Sequence, residues 1–322
     1  MREVVIGTRG SALALWQANH VRDRLLAGHE ALDVRLEIIH TQGDKLLQDP
    51  LHKLGDKGLF TKEIEQALLD RHVDLAVHSL KDLPTATVAG LEIAAITSRE
   101  DPADALITRG GCTLDDLPRG ALVLSSSLRR QAQILHRRQD LRVGNIRGNV
   151  PTRLRKFDEG QADAILFASA GLIRLGLGGR ITQRLEPADF LPACGQGALA
   201  VEIRQDDPPL AALVMELNDN PSRWACMAER AFLGRLQGGC QVPVGAYGRF
   251  AGGEMTLSGF VASLDGSRLL RRELAGAVQS DLQAAELGRR LAELLLDDGC
   301  GEILEDVFRQ AGRRVSDKEA GA

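Results

Sequence analysis

The chain is short of aromatic residues and of long apolar runs. Only 3% of its 322 residues are Phe, Trp or Tyr. The apolar stretches at 91–97 and 291–296 fall far short of the ~20 residues that a membrane-spanning helix needs. The N-terminal residues read as a β-strand and lack the features of a secretory signal. We therefore expect a cytoplasmic protein with no membrane partner.

Paired cysteines and excess positive charge are also missing. The five cysteines, at positions 112, 194, 226, 240 and 300, form no CxxC pair. This spacing indicates neither a disulfide framework nor a metal site, so we expect reduced thiols. The net charge of −4 argues against a large phosphate-binding surface. With so few aromatic residues to stack on bases, a nucleic-acid partner is disfavoured.

Strand-like runs alternate with helical patterns through the first two thirds of the chain. Strands are predicted at 4–6, 34–39, 75–78, 104–108, 121–125, 142–146 and 164–168, and helices from Ser11, near 61–70, after Ser127 and after Asn149. This alternation is typical of α/β architecture. Because a single core rarely serves more than about 250–300 residues, we expect two or three domains.

The segments 98–102 and 190–196 look like two crossings between α/β units, with 198–203 returning as a strand. After 218–221 the pattern changes to a helix at 222–236, a Gly-Gly-Cys loop, two strands joined by 264–267, and C-terminal helices. We predict one domain from 1–98 with 197–217, a second from 99–196, and a smaller α+β domain from 218–322.

Two arginines occupy the first turn of a predicted helix, where the partial positive charge of the helix N-terminus should repel them. They are Arg129 and Arg130, just after Ser127. Arg147 and Arg153 flank a second helix start, for which Asn149 is the predicted N-cap. Either cluster alone also fits a solvated helix face. Together, free backbone N–H groups and guanidinium forks indicate a polyanionic, carboxylated ligand.

Two segments near the front of the chain are candidate anion contacts. Arg9 and Ser11 lie in a strand-to-helix turn, where open α/β sheets place ligands; an ordinary turn is the alternative. This turn satisfies no nucleotide-binding motif. The glycine-rich segment 53–60, with Lys53, Lys57 and Phe60, is either a mobile flap that adds positive charge or a solvated loop.

Ser79, Lys81 and Asp82 follow a buried-looking strand, so their side chains should reach a cleft. A carboxylate in such cationic surroundings suits the stabilisation of a developing cation or a proton transfer. The alternative is that Asp82 pairs with Lys81 or caps a turn. His78 is interpreted as a structural histidine.

Cys240 follows two glycines in a predicted loop. An exposed thiol there would be a nucleophile or an attachment point. By chemistry alone, a free cysteine is more often a small buried hydrophobe.

These segments, taken in order, resemble those of the hydroxymethylbilane synthase family, also called porphobilinogen deaminases. The likeness includes the motifs around Arg9, Phe60, Asp82, Arg129 and Cys240, and it spans nearly the whole chain. It implies three domains, the first two similar to periplasmic binding proteins. It also implies a transferase whose substrate is porphobilinogen. The sequence leaves the oligomeric state open, and a monomer is our default expectation.

The resemblance implies that Cys240 carries a covalent dipyrromethane cofactor through a thioether. The family condenses four porphobilinogen units onto this primer, releases ammonia at each step, and frees the linear tetrapyrrole hydroxymethylbilane. The acetate and propionate arms of each pyrrole would explain the clustered arginines.

Asp82 is by resemblance the catalytic residue that stabilises the cationic azafulvene, and Asp82→Asn should largely abolish turnover. The resemblance carries further roles onto this chain: cofactor binding for Ser79, Lys81, Asp82, Ser127, Arg129, Arg130 and Gly144, substrate binding for Arg9, Ser11, Arg147, Arg153 and Arg174, and the active-site loop for Lys53, Lys57 and Phe60. One departure is Val5, where some members have a basic residue. From another class, a two-lobed anion-binding or ligand-sensing module would use the same arginines but would leave Cys240 unexplained.

Overall fold

The structure is a computed structural model that describes residues 3–29, 31–45, 58, 60–239, 242–251 and 253–310. Its strands are β1 (Glu3–Thr8), β2 (Asp33–Ile38), β3 (Leu75–Ser79), β4 (Leu91–Ile96), β5 (Asp104–Thr108), β6 (Leu122–Leu124), β7 (Arg142–Gly144), β8 (Ala164–Ala168), β9 (Gln183–Leu185), β10 (Leu199–Arg204), β11 (Val244–Ala251), β12 (Glu254–Ala262) and β13 (Leu269–Gly276).

The helices surround three sheets. They are α1 (Ala12–Gly28), α2 (Gln42–Lys45), α3 (Lys62–Leu69), α4 (Leu128–Arg137), α5 (Val150–Asp158), α6 (Ser169–Arg174), α7 (Pro208–Met215), α8 (Asn220–Arg235), α9 (Asp281–Asp297) and α10 (Cys300–Gln310), with 3-10 turns at Leu80–Asp82 and Gly178–Arg180. No helix in the described ranges is long and apolar enough to cross a membrane.

The first two sheets share one arrangement. Their strand orders are β2-β1-β3-β10-β4 and β7-β6-β8-β5-β9. In each sheet three neighbouring strands are parallel, and the fourth strand runs antiparallel to both of its neighbours. The carboxyl ends of the parallel strands therefore lie at one edge of each sheet, where ligand-binding loops gather in α/β proteins.

The chain crosses between these two sheets twice, where the sequence predicted crossings. It leaves the first sheet after β4 and enters the second at β5, and it returns between β9 and β10. The antiparallel fourth strand of each sheet is thus the strand that follows a crossing. The α/β class is confirmed by this topology, whereas the domain boundaries at 98, 196 and 217 stay a prediction.

The core of the first unit follows from the sequence pattern. Ala18, Val21 and Leu25 of α1 are buried and recur at helical spacing, so they form one apolar stripe. This stripe packs in one cluster with Val4 and Ile6 of β1. Burial of such side chains stabilises the fold by about 1.5–3 kcal/mol each, and the packing fixes where α1 begins relative to the sheet edge.

The C-terminal unit is a three-stranded antiparallel sheet, β11-β12-β13, covered by α8 and α9. The sequence predicted two strands here, and the structure has three. The predicted turn at 264–267 joins β12 to β13, while a Gly-Gly pair at 252–253 separates β11 from β12. The residues expected to form one strand before the predicted turn form the antiparallel pair β11 and β12. A Gly-Gly dipeptide in the sequence between two such runs is typical of a hairpin connection.

Three further differences have local causes. Helix α8 begins two residues before the predicted start at 222, because the Asp219 side chain caps it by accepting from the Ser222 backbone N–H at 2.9 Å. Strand β4 was not predicted, because its apolar run has no decisive helical or strand period. Strand β9 has only three residues, two of them polar, and its place in the sheet is set by pairing with β5.

Candidate active site

One of the two candidate anion contacts in the turn before α1 caps this helix. Ser11 is the N-cap residue, and its side chain accepts a hydrogen bond from the Ala14 backbone N–H. Arg9 lies beside this entrance, and its guanidinium carbon is 4.2 Å from the centre of the Phe60 ring. The structure therefore brings Arg9 and Phe60 together as a cation–π pair.

The second group of predicted residues lies at the end of β3. Ser79 ends the strand, and its hydroxyl accepts a hydrogen bond from Gln17 Nε2 at 2.8 Å. The 3-10 turn then places Lys81 partly inside the protein and leaves Asp82 exposed. Burial lowers the pKa of Lys81 from 10.5 to about 8, against the opposing effect of the Asp82 carboxylate.

Arg129 and Arg130 lie in the first turn of α4, as predicted, and both are buried. Their charges are balanced by one fully buried carboxylate, that of Asp104 at the start of β5. Arg129 Nη1 is 2.7 Å from Asp104 Oδ2, and Arg130 Nη2 is 2.7 Å from Oδ1. Arg129 also donates to the Leu191 carbonyl at 2.6 Å. The buried carboxylate explains why two cations are tolerated at a helix N-terminus.

The loop before α4 is tied to the loop before α5. Ser126 Oγ donates to the Ile146 carbonyl and accepts from the Ile146 N–H. The Ser127 N–H donates to Ser125 Oγ, and the Ser125 N–H donates to the carbonyl of Gly144. Ser127 is the N-cap residue of α4 and follows β6, and Gly144 is the last residue of β7. Because β6 and β7 are neighbours, these two predicted cofactor contacts lie at the same edge of the sheet.

The second arginine cluster surrounds the start of α5. Asn149 caps the helix by accepting from the Thr152 N–H, which confirms the predicted N-cap. Arg153 Nε donates to the Gly148 carbonyl at 2.5 Å, and Lys156 Nζ donates to the Arg147 carbonyl at 3.1 Å.

The pKa of Arg153 is shifted by other charged groups of the site. Burial, then the charges of Arg130 and Arg147, lower the pKa of Arg153 to about 10, while the Asp82 carboxylate opposes this shift. These residues lie on segments that follow strands of both sheets, so the fold brings the two predicted arginine clusters close to the predicted catalytic residue.

Arg174, in α6, reaches across to the first unit. Its Nη2 donates to the Gly197 carbonyl at 2.7 Å, and its guanidinium carbon lies 5.6 Å from the centre of the Trp16 ring. Burial lowers the pKa of Arg174 to about 10, with Glu100 opposing the shift. Arg174 therefore bridges the two sheets beside the cleft.

A cleft lies between the two α/β units. Its cationic lining residues are Lys81, Arg130, Arg153 and Arg174, and Ser79 contributes a hydroxyl. None of the described residues that line it carries a carboxylate. Such a lining in a partly buried cleft favours a ligand with several carboxylates.

The donors present fit a polycarboxylated prosthetic group. Arg129 Nε is buried and has no hydrogen-bond partner among the described residues. Buried donors are normally paired, so an unpaired guanidinium N–H beside a cationic cleft is suited to a ligand oxygen. Lys53, Lys57 and Cys240 lie outside the described residues, and their predicted roles stay predictions.

Sequence reasoning missed three side chains that shape the site. Asp104 anchors the arginine pair, Gln17 binds Ser79, and Gln196 accepts a hydrogen bond from Lys81 Nζ at 3.3 Å. An acidic residue opening an otherwise apolar strand was the one available signal for Asp104.

His78 is buried, and its Nε2 is 3.1 Å from Glu202 Oε2 of the neighbouring strand β10. This contact with a buried partner matches the interpretation of His78 as a structural residue.

Comparisons with known proteins identify the family of the chain. A family model described as "Porphobilinogen deaminase, dipyromethane cofactor binding domain" matches residues 4–212, and one described as "Porphobilinogen deaminase, C-terminal domain" matches 224–297. The chain is 51% identical over 308 residues to the porphobilinogen deaminase of Syntrophobacter fumaroxidans, covering 96% of this chain and 99% of that one. It is 53% identical over 306 residues to that of Desulforudis audaxviator, covering 95% and 98%.

Among solved structures, a TRAP periplasmic solute binding protein from Desulfovibrio salexigens matches with a TM-score of 0.41 at 9% identity, covering 69% of this chain and 74% of that one. The VFT2 domain of Bordetella pertussis BvgS matches with a TM-score of 0.40 at 17% identity, covering 67% and 85%. These two likenesses carry no argument, whereas the two family models and the relatives covered over nearly their whole length show the family. The chain belongs to the porphobilinogen deaminase family.

Proposed function

We propose that this chain condenses four porphobilinogen molecules head to tail onto a dipyrromethane primer held by Cys240. Ammonia is released at each condensation, and the product is the linear tetrapyrrole hydroxymethylbilane. The observation that carries the proposal is the cleft itself. Lys81, Arg130, Arg153 and Arg174 line one cavity in a chain whose relatives are named porphobilinogen deaminases.

The arginines and the lysine bind and orient carboxylates. Each porphobilinogen brings an acetate and a propionate, and guanidinium groups grip carboxylates with two parallel hydrogen bonds. We assign cofactor carboxylates to Lys81, Arg129 and Arg130 with Ser127, and substrate carboxylates to Arg9, Ser11, Arg147, Arg153 and Arg174. Ser79 and Gly144 complete the cofactor side, and Lys53, Lys57 and Phe60 form the active-site loop.

Asp82 is the residue that we place at the reacting atoms. It is exposed at the end of the 3-10 turn, and its charge acts on both Lys81 and Arg153. Its carboxylate oxygens accept hydrogen bonds from pyrrole N–H groups and stabilise positive charge that develops when ammonia leaves the substrate. Because the surrounding cations bind the carboxylate arms, Asp82 is available to contact the pyrrole ring.

The dipyrromethane group, when bound, supplies the free pyrrole carbon to which the first substrate is added. Cys240 is the thiol that we expect to hold it. Of the other cysteines, Cys194, Cys226 and Cys300 are buried, and burial raises the pKa of Cys226 to about 12 and that of Cys300 to about 11. Thiols with raised pKa values are poor nucleophiles. Cys112, which is partly exposed, is the natural control.

The test is the intact mass of the purified protein beside Cys240→Ser and Cys112→Ser. We expect the wild type and Cys112→Ser to exceed the sequence mass by two linked pyrrole units and to release ammonia continuously from porphobilinogen. Cys240→Ser should do neither. A wild type that binds porphobilinogen saturably, gains no mass and releases no ammonia would contradict the proposal and favour a binding protein.

We further propose that the chain acts as a monomer in the cytoplasm. Light scattering on the protein with its covalent group measures the oligomeric state, and cell fractionation determines the location; we expect a monomer in the cytoplasmic fraction.

A further inference from the structure

We infer that Asp104 is a positioning residue for the reaction: it fixes Arg129 and Arg130 in the orientation that grips carboxylates, and Gln196 extends the same anchor to Lys81. The inference rests on the proposed function, because the carboxylates in question belong to the prosthetic group and the growing chain. Asp104 itself does not line the cleft, whereas Arg130 and Lys81 do. Asp104 would therefore act through these side chains and not by touching substrate.

Three charged side chains meet at Asp104. Asp104 is fully buried at the start of β5. Its Oδ1 accepts from both Nε and Nη2 of Arg130, at 2.9 and 2.7 Å, and its Oδ2 lies 2.7 Å from Nη1 of Arg129. Two cations on adjacent residues are thus held around one carboxylate: Arg130 makes two hydrogen bonds to one oxygen, and Arg129 brings one nitrogen close to the other oxygen.

The ionisation of Asp104 depends on the two arginines. Burial alone would raise the pKa of Asp104, but the charges of Arg129 and Arg130 hold it well below its usual range. The group therefore remains a carboxylate wherever the enzyme works. Without it, two buried guanidinium groups would repel each other, and each would seek another orientation.

Gln196 connects Asp104 to Lys81. Gln196 is fully buried in the second crossing between the sheets. Its Nε2 donates to Asp104 Oδ1 at 2.9 Å and to the Pro102 carbonyl at 2.8 Å, while its Oε1 accepts from Lys81 Nζ at 3.3 Å. One chain of hydrogen bonds thus runs from the arginine pair in one unit to the lysine in the other.

The benefit of this anchor is preorganisation. Arginine and lysine side chains lose much conformational freedom when they grip a ligand, and a side chain that is already fixed loses less. Because a small misplacement of a positioning group can slow a reaction about 100-fold, losing the anchor should be visible in both loading and turnover.

The experiment is a double-mutant cycle on Asp104→Asn and Arg130→Gln. Two readouts are taken: the rate at which apo-protein gains the covalent addition from porphobilinogen, by intact mass, and kcat/KM for ammonia release by the loaded protein. We expect Asp104→Asn to lower both about 100-fold. If Asp104 acts through the arginines, the double variant should be no worse than the poorer single variant. Losses that multiply, or an Asp104→Asn protein that matches the wild type, would overturn the inference.

The matched control is Asp140→Asn. Asp140 Oδ1 accepts from Arg138 Nε at 2.8 Å, just beyond the opposite end of α4 from the cleft. This variant also removes the carboxylate from an aspartate–arginine ion pair. It should gain the covalent addition and release ammonia at the wild-type rates. Equal losses in both aspartate variants would assign the effect to folding and overturn the inference.

If Asp104→Asn yields no folded protein, Arg130→Lys decides. Lysine keeps the charge but cannot make the two-pronged contact with Asp104. We expect slow loading, and a wild-type loading rate would overturn the inference. A wild type that itself fails to load and releases no ammonia would instead contradict the proposed function, so the two failures are distinguishable.

Discussion

The two arginine clusters that the sequence presented as equivalent differ in how the fold holds them. Arg129 and Arg130 are buried and share the carboxylate of Asp104. Arg153 is only partly buried, and its Nε donates to the backbone carbonyl of Gly148. The first cluster is held by a buried opposite charge, whereas Arg153 of the second is held by a neutral backbone acceptor. The same residue type therefore provides a rigid grip on one side of the cleft and a more adjustable one on the other.

This difference suits a site that holds a covalent cofactor permanently and also binds a product chain that lengthens. A rigid pair binds one set of carboxylates in a fixed register, as a covalent primer requires. A cation without a buried counter-charge can exchange its carbonyl contact for successive substrate carboxylates. The assignment of Arg129 and Arg130 to the cofactor and of Arg153 to substrate is consistent with this division of labour.

The largest test of the comparison is stability. Arg130→Gln leaves the buried Asp104 carboxylate with one cation fewer, and breaking a buried pair typically costs about 3–5 kcal/mol. Because Arg129 remains, we expect a loss of about 3 kcal/mol in the free energy of unfolding, read by urea denaturation. Arg153→Gln removes no buried counter-charge, so its loss should stay within about 1 kcal/mol. Equal losses for the two variants would contradict the distinction.

The parts of the site that were predictable from the sequence are those encoded locally. The cap at Asn149 and the helix start after Ser127 depend on neighbouring residues, and both were predicted correctly. Asp104 and Gln196 could not be assigned in this way. Asp104 lies 26 positions before Arg130 and 92 positions before Gln196, and only the two crossings bring them together. Contacts that depend on topology leave no periodic signal in the chain.

A second test disturbs the rigid cluster from outside the cleft. The turn between β12 and β13 docks on α4, where His136 Nδ1 lies 2.9 Å from the Gly266 carbonyl oxygen. Gly266 has φ +70°, and a Cβ there would meet Ala132 O and His136 N at 2.5 Å. Gly266→Ala should therefore push the turn away from α4 at a cost of about 1–3 kcal/mol. Loading through Arg129 and Arg130 should slow as well.

The control for this variant is Gly253→Ala. Gly253 has φ +85° in the preceding hairpin, but a Cβ there would meet nothing within 4 Å. It carries similar backbone strain without the clash, so it should be destabilised less and load at the wild-type rate. If both variants load equally fast, docking of the turn on α4 does not set the position of the arginine pair.

The smallest expected effect is a pH dependence that separates Lys81 from the arginines. Burial lowers the pKa of Lys81 to about 8, whereas the pKa of Arg153 falls only to about 10. The cationic form of Lys81 is present below its pKa and is lost as the pH rises through it. The rate at which apo-protein gains the covalent addition should therefore fall about 10-fold between about pH 7 and pH 9. Lys81→Arg keeps its charge over this range, so its loading rate should change little, even if it is lower throughout. A falling limb near pH 8 that persists in Lys81→Arg would assign the titration to another group and would show that carboxylate capture does not depend on the charge of Lys81.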